Sequence, residues 1–129
     1  MSGAVHQVPP TSAPTREARL DALLLRDEIE ERNAAYSAAL DRQDLTGWVT
    51  YFTADAFYVV ISRENHDAGL PVGLIYCEGQ KMIHDRAFAL LKTSMFGPRY
   101  LRHLVGRFSV EPMGKDGTIV ARANYVVLR

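Results

Sequence analysis

The sequence reads as an α+β domain, with helices segregated from an antiparallel sheet. Three features carry that reading. A long run in the first third places apolar residues at helical spacing. Two short runs in the middle are rich in aromatic and β-branched residues. The last third holds two strand-like runs joined through Asp116-Gly117. At 129 residues the chain is one domain by length. A chain of this size buries roughly two-thirds of its unfolded surface, so it does not need disulfides.

Residues 1–14 contain Pro9, Pro10 and Pro14 among Ser, Thr and Gly without periodicity, which predicts a mobile tail ahead of a domain over 15–129. Thr15 suits a helix N-cap, with Glu17 near the positive helix end. Leu20, Leu23, Leu24, Ile29, Tyr36, Ala39 and Leu40 then form the apolar stripe. Asp27, Glu28, Glu30, Glu31 and Arg32 form a solvated face. Asp44 caps a second, short helix whose Trp48 and Phe52 lie four apart on one face, and Thr53-Ala54-Asp55 breaks it. Ala56 to Ser62 reads as a strand. Residues 63–71 read as a loop punctuated by Gly69 and Pro71, and Val72 to Cys77 as a second short strand. Glu78 to Lys92 reads as a helix with Ile83, Ala87, Leu90 and Leu91 inward and Gly97-Pro98 as its stop. Tyr100 to Val110 and Thr118 to Leu128 are two long strands, connected by Glu111 to Gly117. A curved sheet wrapped around the long helix would enclose a cone-shaped cavity, the natural place for a ligand.

Fifteen basic and fifteen acidic residues leave a formal net charge of zero, which argues against a nucleic-acid partner. Cys77 is the only cysteine, so a cluster held by several thiolates and a Cys-pair zinc site are both excluded. No apolar run approaches the ~20 residues of a membrane span. No basic segment followed by an apolar core opens the chain. The expectation is a cytoplasmic protein with no membrane partner.

The order of elements resembles the NTF2-like (cystatin-like) cone. Five strings within it resemble the small or β subunit of aromatic-ring-hydroxylating dioxygenases, the Rieske non-haem iron oxygenases. They are Trp48-Val49-Thr50-Tyr51-Phe52-Thr53, Arg63-Glu64-Asn65, Met82-Ile83-His84-Asp85-Arg86, Tyr100-Leu101-Arg102-His103-Leu104-Val105-Gly106 and Ala123-Asn124-Tyr125-Val126-Val127-Leu128-Arg129. Asn65-His66-Asp67-Ala68-Gly69-Leu70 is most similar to the terephthalate dioxygenase and salicylate 5-hydroxylase branches. The resemblance implies a structural subunit without cofactor, in an α3β3 assembly with a large α subunit. That α subunit would carry the Rieske [2Fe–2S] cluster and the mononuclear iron, supplied with electrons by a reductase or ferredoxin. It also implies about two further strands beyond the equivalent of Arg129. Without them the last strand presents an open apolar edge, which either pairs with another chain or aggregates.

Several residues invite a chemical role. His66 with Asp67, His84 with Asp85, and His103 could be assembled on paper into two histidines and a carboxylate for iron. They sit on a loop, a helix and a strand, without the i, i+3 or i, i+4 spacing of a ligand pair. The polar stretch Glu64, Asn65, His66 and Asp67, with Asp85 and Arg86 on the helix, therefore reads as subunit-interface chemistry. The alternative is a stand-alone lyase, isomerase or small-molecule binding protein similar to scytalone dehydratase and SnoaL. In that reading His103, facing the cavity near Tyr58 or Tyr36, is the general base. No carboxylate partner for His103 is evident on the neighbouring strand.

Overall fold

The computed structural model describes residues 12–70, 73–93 and 100–129. Helix α1, Arg16–Asp41, begins where expected: Thr15 Oγ1 accepts the Ala18 N–H at 3.1 Å, and Glu17 lies in the first turn. At roughly 1.5 Å per residue it is about 39 Å long. The short elements that follow cover only its C-terminal half. Ser37 and Ala39 are buried there, whereas Leu20, Leu23 and Leu24 remain exposed, so the expected apolar stripe is buried along only part of its length.

Gln43 takes a positive φ of 61° in the tight link to helix α2, Leu45–Val49. Asp44 caps α2, its carboxylate accepting the Gly47 N–H at 3.0 Å. A Cβ at Gly47 would lie 2.3 Å from Asp44 Oδ2, so glycine is what lets the cap close over the helix end. The other end of α2 is secured from a distance. Gln80 Nε2 donates to the carbonyls of Val49 and Phe52 at 3.3 and 2.9 Å.

Strand β1, Phe57–Val60, pairs antiparallel with β2, Ile75–Glu78, with Tyr58 opposite Cys77. The segment between them is not wholly a loop. Arg63–Asp67 forms a helical turn, α3. Ser62 caps it by accepting the Asn65 N–H at 3.2 Å, and Arg63 pairs with Asp67 one turn on at 3.1 Å. Gly69, at φ 67°, ends it. Pro71 and Val72, assigned to the loop and the next strand, lie outside the described residues. Gly79, at φ 86°, turns β2 into helix α4, Gln80–Thr93. The expected Gly97-Pro98 stop also lies outside the described residues.

The two long strands are each divided. Strand β3, Arg102–Val105, pairs with β6, Tyr125–Leu128, and β4, Ser109–Val110, pairs with β5, Ala121–Arg122. The register shows why. Val105 faces Tyr125 and Ser109 faces Arg122, so Gly106, Arg107 and Phe108 stand opposite only Ala123 and Asn124. One extra residue makes a β-bulge, which bends the hairpin and interrupts the ladder. At the far end Gly117, at φ 81°, closes the turn and Asp116 accepts the Thr118 N–H at 3.1 Å. Among the described residues the sheet is three two-stranded ladders and not one continuous surface.

The core lies between α1, α2, α4 and β2. Ala39, Trp48, Val49, Cys77, Ile83 and Ala87 are buried, with Tyr36, Phe52 and Tyr58 against them. Trp48 is the hub. Its ring lies 4.9 Å from Phe52, 5.3 Å from Tyr58 and 5.8 Å from Tyr36, joining α1, α2 and β1. Among the described residues Ile83, 1% exposed, is the largest fully buried side chain. Ile83→Ala is expected to cost about 3 kcal/mol in a denaturant titration. Met82→Ala on the exposed face, where Met82 is 46% accessible, is expected to cost under about 1 kcal/mol. Equal losses at the two positions would contradict this placement of the core.

Candidate functional site

The concave side of the bent hairpin faces α1. The space between them, with β1 as a third wall, is a cavity of ≈ 280 Å³. Asn33, Tyr36 and Ser37 reach it from α1, Tyr58 from β1, and His103 and Tyr125 from the hairpin. Burial, reinforced by the neighbouring Tyr36, Tyr125 and Cys77, pushes the Tyr58 hydroxyl up to about 12. Burial likewise raises Tyr36. Both phenols are therefore neutral hydrogen-bonding groups at physiological pH.

His103 is held by a residue from the opposite element. Asp41, the last residue of α1, places Oδ1 2.6 Å from His103 Nδ1, and its Oδ2 accepts the His103 backbone N–H at 3.2 Å. Both side chains are 14% exposed. The strand geometry makes this possible. Gly106 donates to the Asn124 carbonyl at 2.8 Å, so by antiparallel alternation Leu104 and Arg102 bond toward β6 and the His103 N–H points to the free edge. Burial alone would push the Asp41 carboxyl up, and it is the largest single influence. The two bonds from His103, with attraction to His103 and Arg102, together outweigh it and hold the carboxyl below its ordinary value. With an anion at Nδ1, a neutral imidazole keeps its proton on that nitrogen and leaves Nε2 as an acceptor.

A second carboxylate of α1 acts in the same way. Glu30 Oε1 accepts the N–H of Phe108, inside the bulge, at 3.2 Å. Glu30 was expected on the solvated helix face; it is instead half-buried against the hairpin. Asp41 has a sequence signal that strand-centred reasoning passes over. A carboxylate at the negative end of a helix, with no basic residue in the last turn, is unfavourable unless something else holds it.

The remaining candidates lie on the surface. Glu64, His66 and Asp67 on α3 and Asp85 and Arg86 on α4 are exposed, and Asn65 is half-buried. His66 and His84 each lie 3.6 Å from the aspartate that follows, and His84 stacks on Phe88 at 5.7 Å. Among the described residues no three His, Cys, Asp or Glu side chains gather as a metal site. Cys77 is a free, buried thiol packed in the core. Among the described residues no helix is long and apolar enough to cross a membrane.

A long helix cradled by bent antiparallel hairpins is the NTF2-like cone. Two Streptomyces structures share this fold at low identity. Aln2 aligns at 21% identity with a TM-score of 0.56, covering 88% of this chain and 66% of that one. ActVI-ORFA from Streptomyces coelicolor aligns at 22% with a TM-score of 0.58, covering 80% and 67%. Closer likeness defines the family. The model for the ring hydroxylating beta subunit matches residues 35–129, and the chain belongs to that family. The anthranilate 1,2-dioxygenase small subunit of Burkholderia cepacia is 34% identical over 102 residues, 79% of this chain and 63% of the relative. Subunit beta 2 of the terephthalate 1,2-dioxygenase terminal oxygenase component of Comamonas sp is 33% identical, over 79% and 66%. A structure described as the beta subunit of an aromatic-ring-hydroxylating dioxygenase from Novosphingobium aromaticivorans aligns at 40% identity with a TM-score of 0.72, covering 82% and 66%. The chain thus spans somewhat under two-thirds of the length of these relatives.

The Asp41–His103 pair makes stability depend on pH. Asp41 has a lower value folded than unfolded, so deprotonation favours the folded state. This contribution is complete above the ordinary value of 3.8 and is lost as pH falls through the lower, folded value. Asp41→Asn, which keeps one acceptor of two, is expected to cost about 2 kcal/mol at neutral pH. It should also flatten the stability profile below about pH 4. Chemical denaturation from pH 3 to pH 7 checks this; a variant with the wild-type slope would contradict the assignment.

Proposed function

We propose that this chain is the non-catalytic β subunit of a multicomponent Rieske-type oxygenase acting on an aromatic acid. The observation that carries the reading is the family match across residues 35–129. The small subunits of anthranilate and terephthalate dioxygenases among the relatives support an aromatic acid as substrate class. In this reading the Rieske [2Fe–2S] cluster and mononuclear iron reside in a large α subunit, in an α3β3 assembly. Electrons reach that subunit from a reductase or ferredoxin. The β subunit contributes shape and contact area. The single buried thiol, Cys77, fits a cytoplasmic setting.

Two kinds of surface support assembly. Phe57 and Val126 are more than half exposed and Leu128 nearly half, which is a large apolar display for an isolated domain. Glu64, Asn65, His66, Asp67, Asp85 and Arg86 supply a polar, mixed-charge complement for an interface rim. The alternative, a self-contained lyase or isomerase using His103 and Tyr58, rests on their meeting in the cavity and on a fold-level likeness to the Streptomyces proteins.

Co-expression with a large subunit bearing a Cys-X-His and Cys-X-X-His cluster motif is expected to give a discrete hetero-oligomer by light scattering. Charge reversal by Asp85→Arg with Arg86→Glu should weaken that association about tenfold or more. A stable monomer at tens of micromolar with no affinity for the large subunit would overturn the proposal. So would ring-hydroxylating turnover by the isolated chain.

A further inference from the structure

The cavity between α1, β1 and the hairpin is a feature that the scaffold role does not require. It holds ≈ 280 Å³. A cavity of about 150 Å³ suffices for benzene, so one substituted ring fits here. Its polar groups converge from separate elements: Asn33 from α1, Tyr58 from β1 and His103 from β3. The rest of the described lining is mainly aromatic and aliphatic, including Tyr36, Val105 and Phe108.

His103 decides the chemistry. Its Nδ1 and backbone N–H are both committed to Asp41. The two bonds that tie His103 to Asp41 do not use Nε2, and the ring, whose side chain is only 14% exposed, lines the cavity. In the neutral ring with its proton on Nδ1 toward Asp41, Nε2 is an acceptor and calls for an O–H or N–H donor. An anionic ligand is disfavoured. No lysine or arginine is among the described lining residues, and an ionised Asp41 stands directly behind the imidazole. A hydrocarbon would leave Nε2 without a partner, at a cost.

We propose that this cavity is a binding site for one small neutral phenol, whose hydroxyl donates to His103 Nε2 and whose ring lies among Tyr36, Tyr58, Tyr125 and Phe108. Tyr58, a neutral hydroxyl, donates to an oxygen on the ligand where one is present. Asp41 is a positioning residue, acting through the tautomer of His103. The site rests on the cavity and the Asp41–His103 geometry, so it stands whether or not the chain is an oxygenase subunit.

The test is calorimetric titration of phenol, benzoate and toluene into the purified full chain or its complex with the large subunit. The ¹⁵N resonances of the His103 ring are followed in parallel. Phenol is expected to bind once per chain, at least tenfold more tightly than benzoate or toluene, and to shift the Nε2 resonance saturably. Asp41→Asn should change the ring's tautomer signature and weaken phenol severalfold. His103→Phe, shown to be folded by circular dichroism, should abolish the preference for phenol over toluene. If that variant does not fold, the wild-type Nε2 titration decides. Toluene or benzoate binding as tightly as phenol would overturn the proposal. An Nε2 resonance unmoved by phenol in folded wild-type protein would overturn it as well.

Discussion

Two carboxylates on one helix hold the bent hairpin in place, and the cavity exists because they do. Asp41 and Glu30 stand eleven positions apart, three turns of α1. Each accepts a backbone N–H that the hairpin cannot use internally: His103 at the outer edge of β3, and Phe108 in the bulge. An unpaired N–H at a strand edge is both an energetic cost and an invitation to a foreign strand. Meeting both from α1 removes the cost and sets the spacing between helix and hairpin. The side chains between those two anchors, Asn33, Tyr36 and Ser37, line the space that remains.

The opposite wall depends on packing. Trp48 ties α1, α2 and β1 together through rings at 4.9 to 5.8 Å, and α4 presses Ile83 and Ala87 into the same core. That half of the molecule is a conventional apolar core. The hairpin half is attached to α1 by charge-assisted hydrogen bonds, which are short-range and directional. A subunit built this way keeps a stable helical body and presents an apolar outer surface on its strands.

Much of the helical architecture was legible in the residues. Thr15 and Asp44 announce helix starts by local chemistry, and the spacing of Trp48 and Phe52 announces a packing face. Ser62 caps the next helical turn, but the sequence places it at the end of a strand and reads the polar run after it as a loop, because five residues give too short a period to recognise. The bulge was not legible. Tyr100 to Val110 is continuously strand-like, and one surplus residue becomes visible only when the partner strand's register is known. The site was half legible. His103 and Tyr58 were candidates for the cavity and do meet there. Asp41 was missed because its partner lies sixty-two residues away and on a different kind of element. Distant pairing of this sort leaves no local pattern.

The central claim is that α1, through Asp41 and Glu30, holds the outer edge of the hairpin. Amide hydrogen exchange tests it most directly, because the His103 and Phe108 N–H groups face away from the β6 and β5 ladder. The account predicts that both exchange as slowly as the ladder amides of Leu104 and Gly106 in the native protein. His103 should speed up selectively in Asp41→Asn, and Phe108 in Glu30→Gln. Fast exchange at His103 and Phe108 in the wild-type protein, beside a protected ladder, would contradict it.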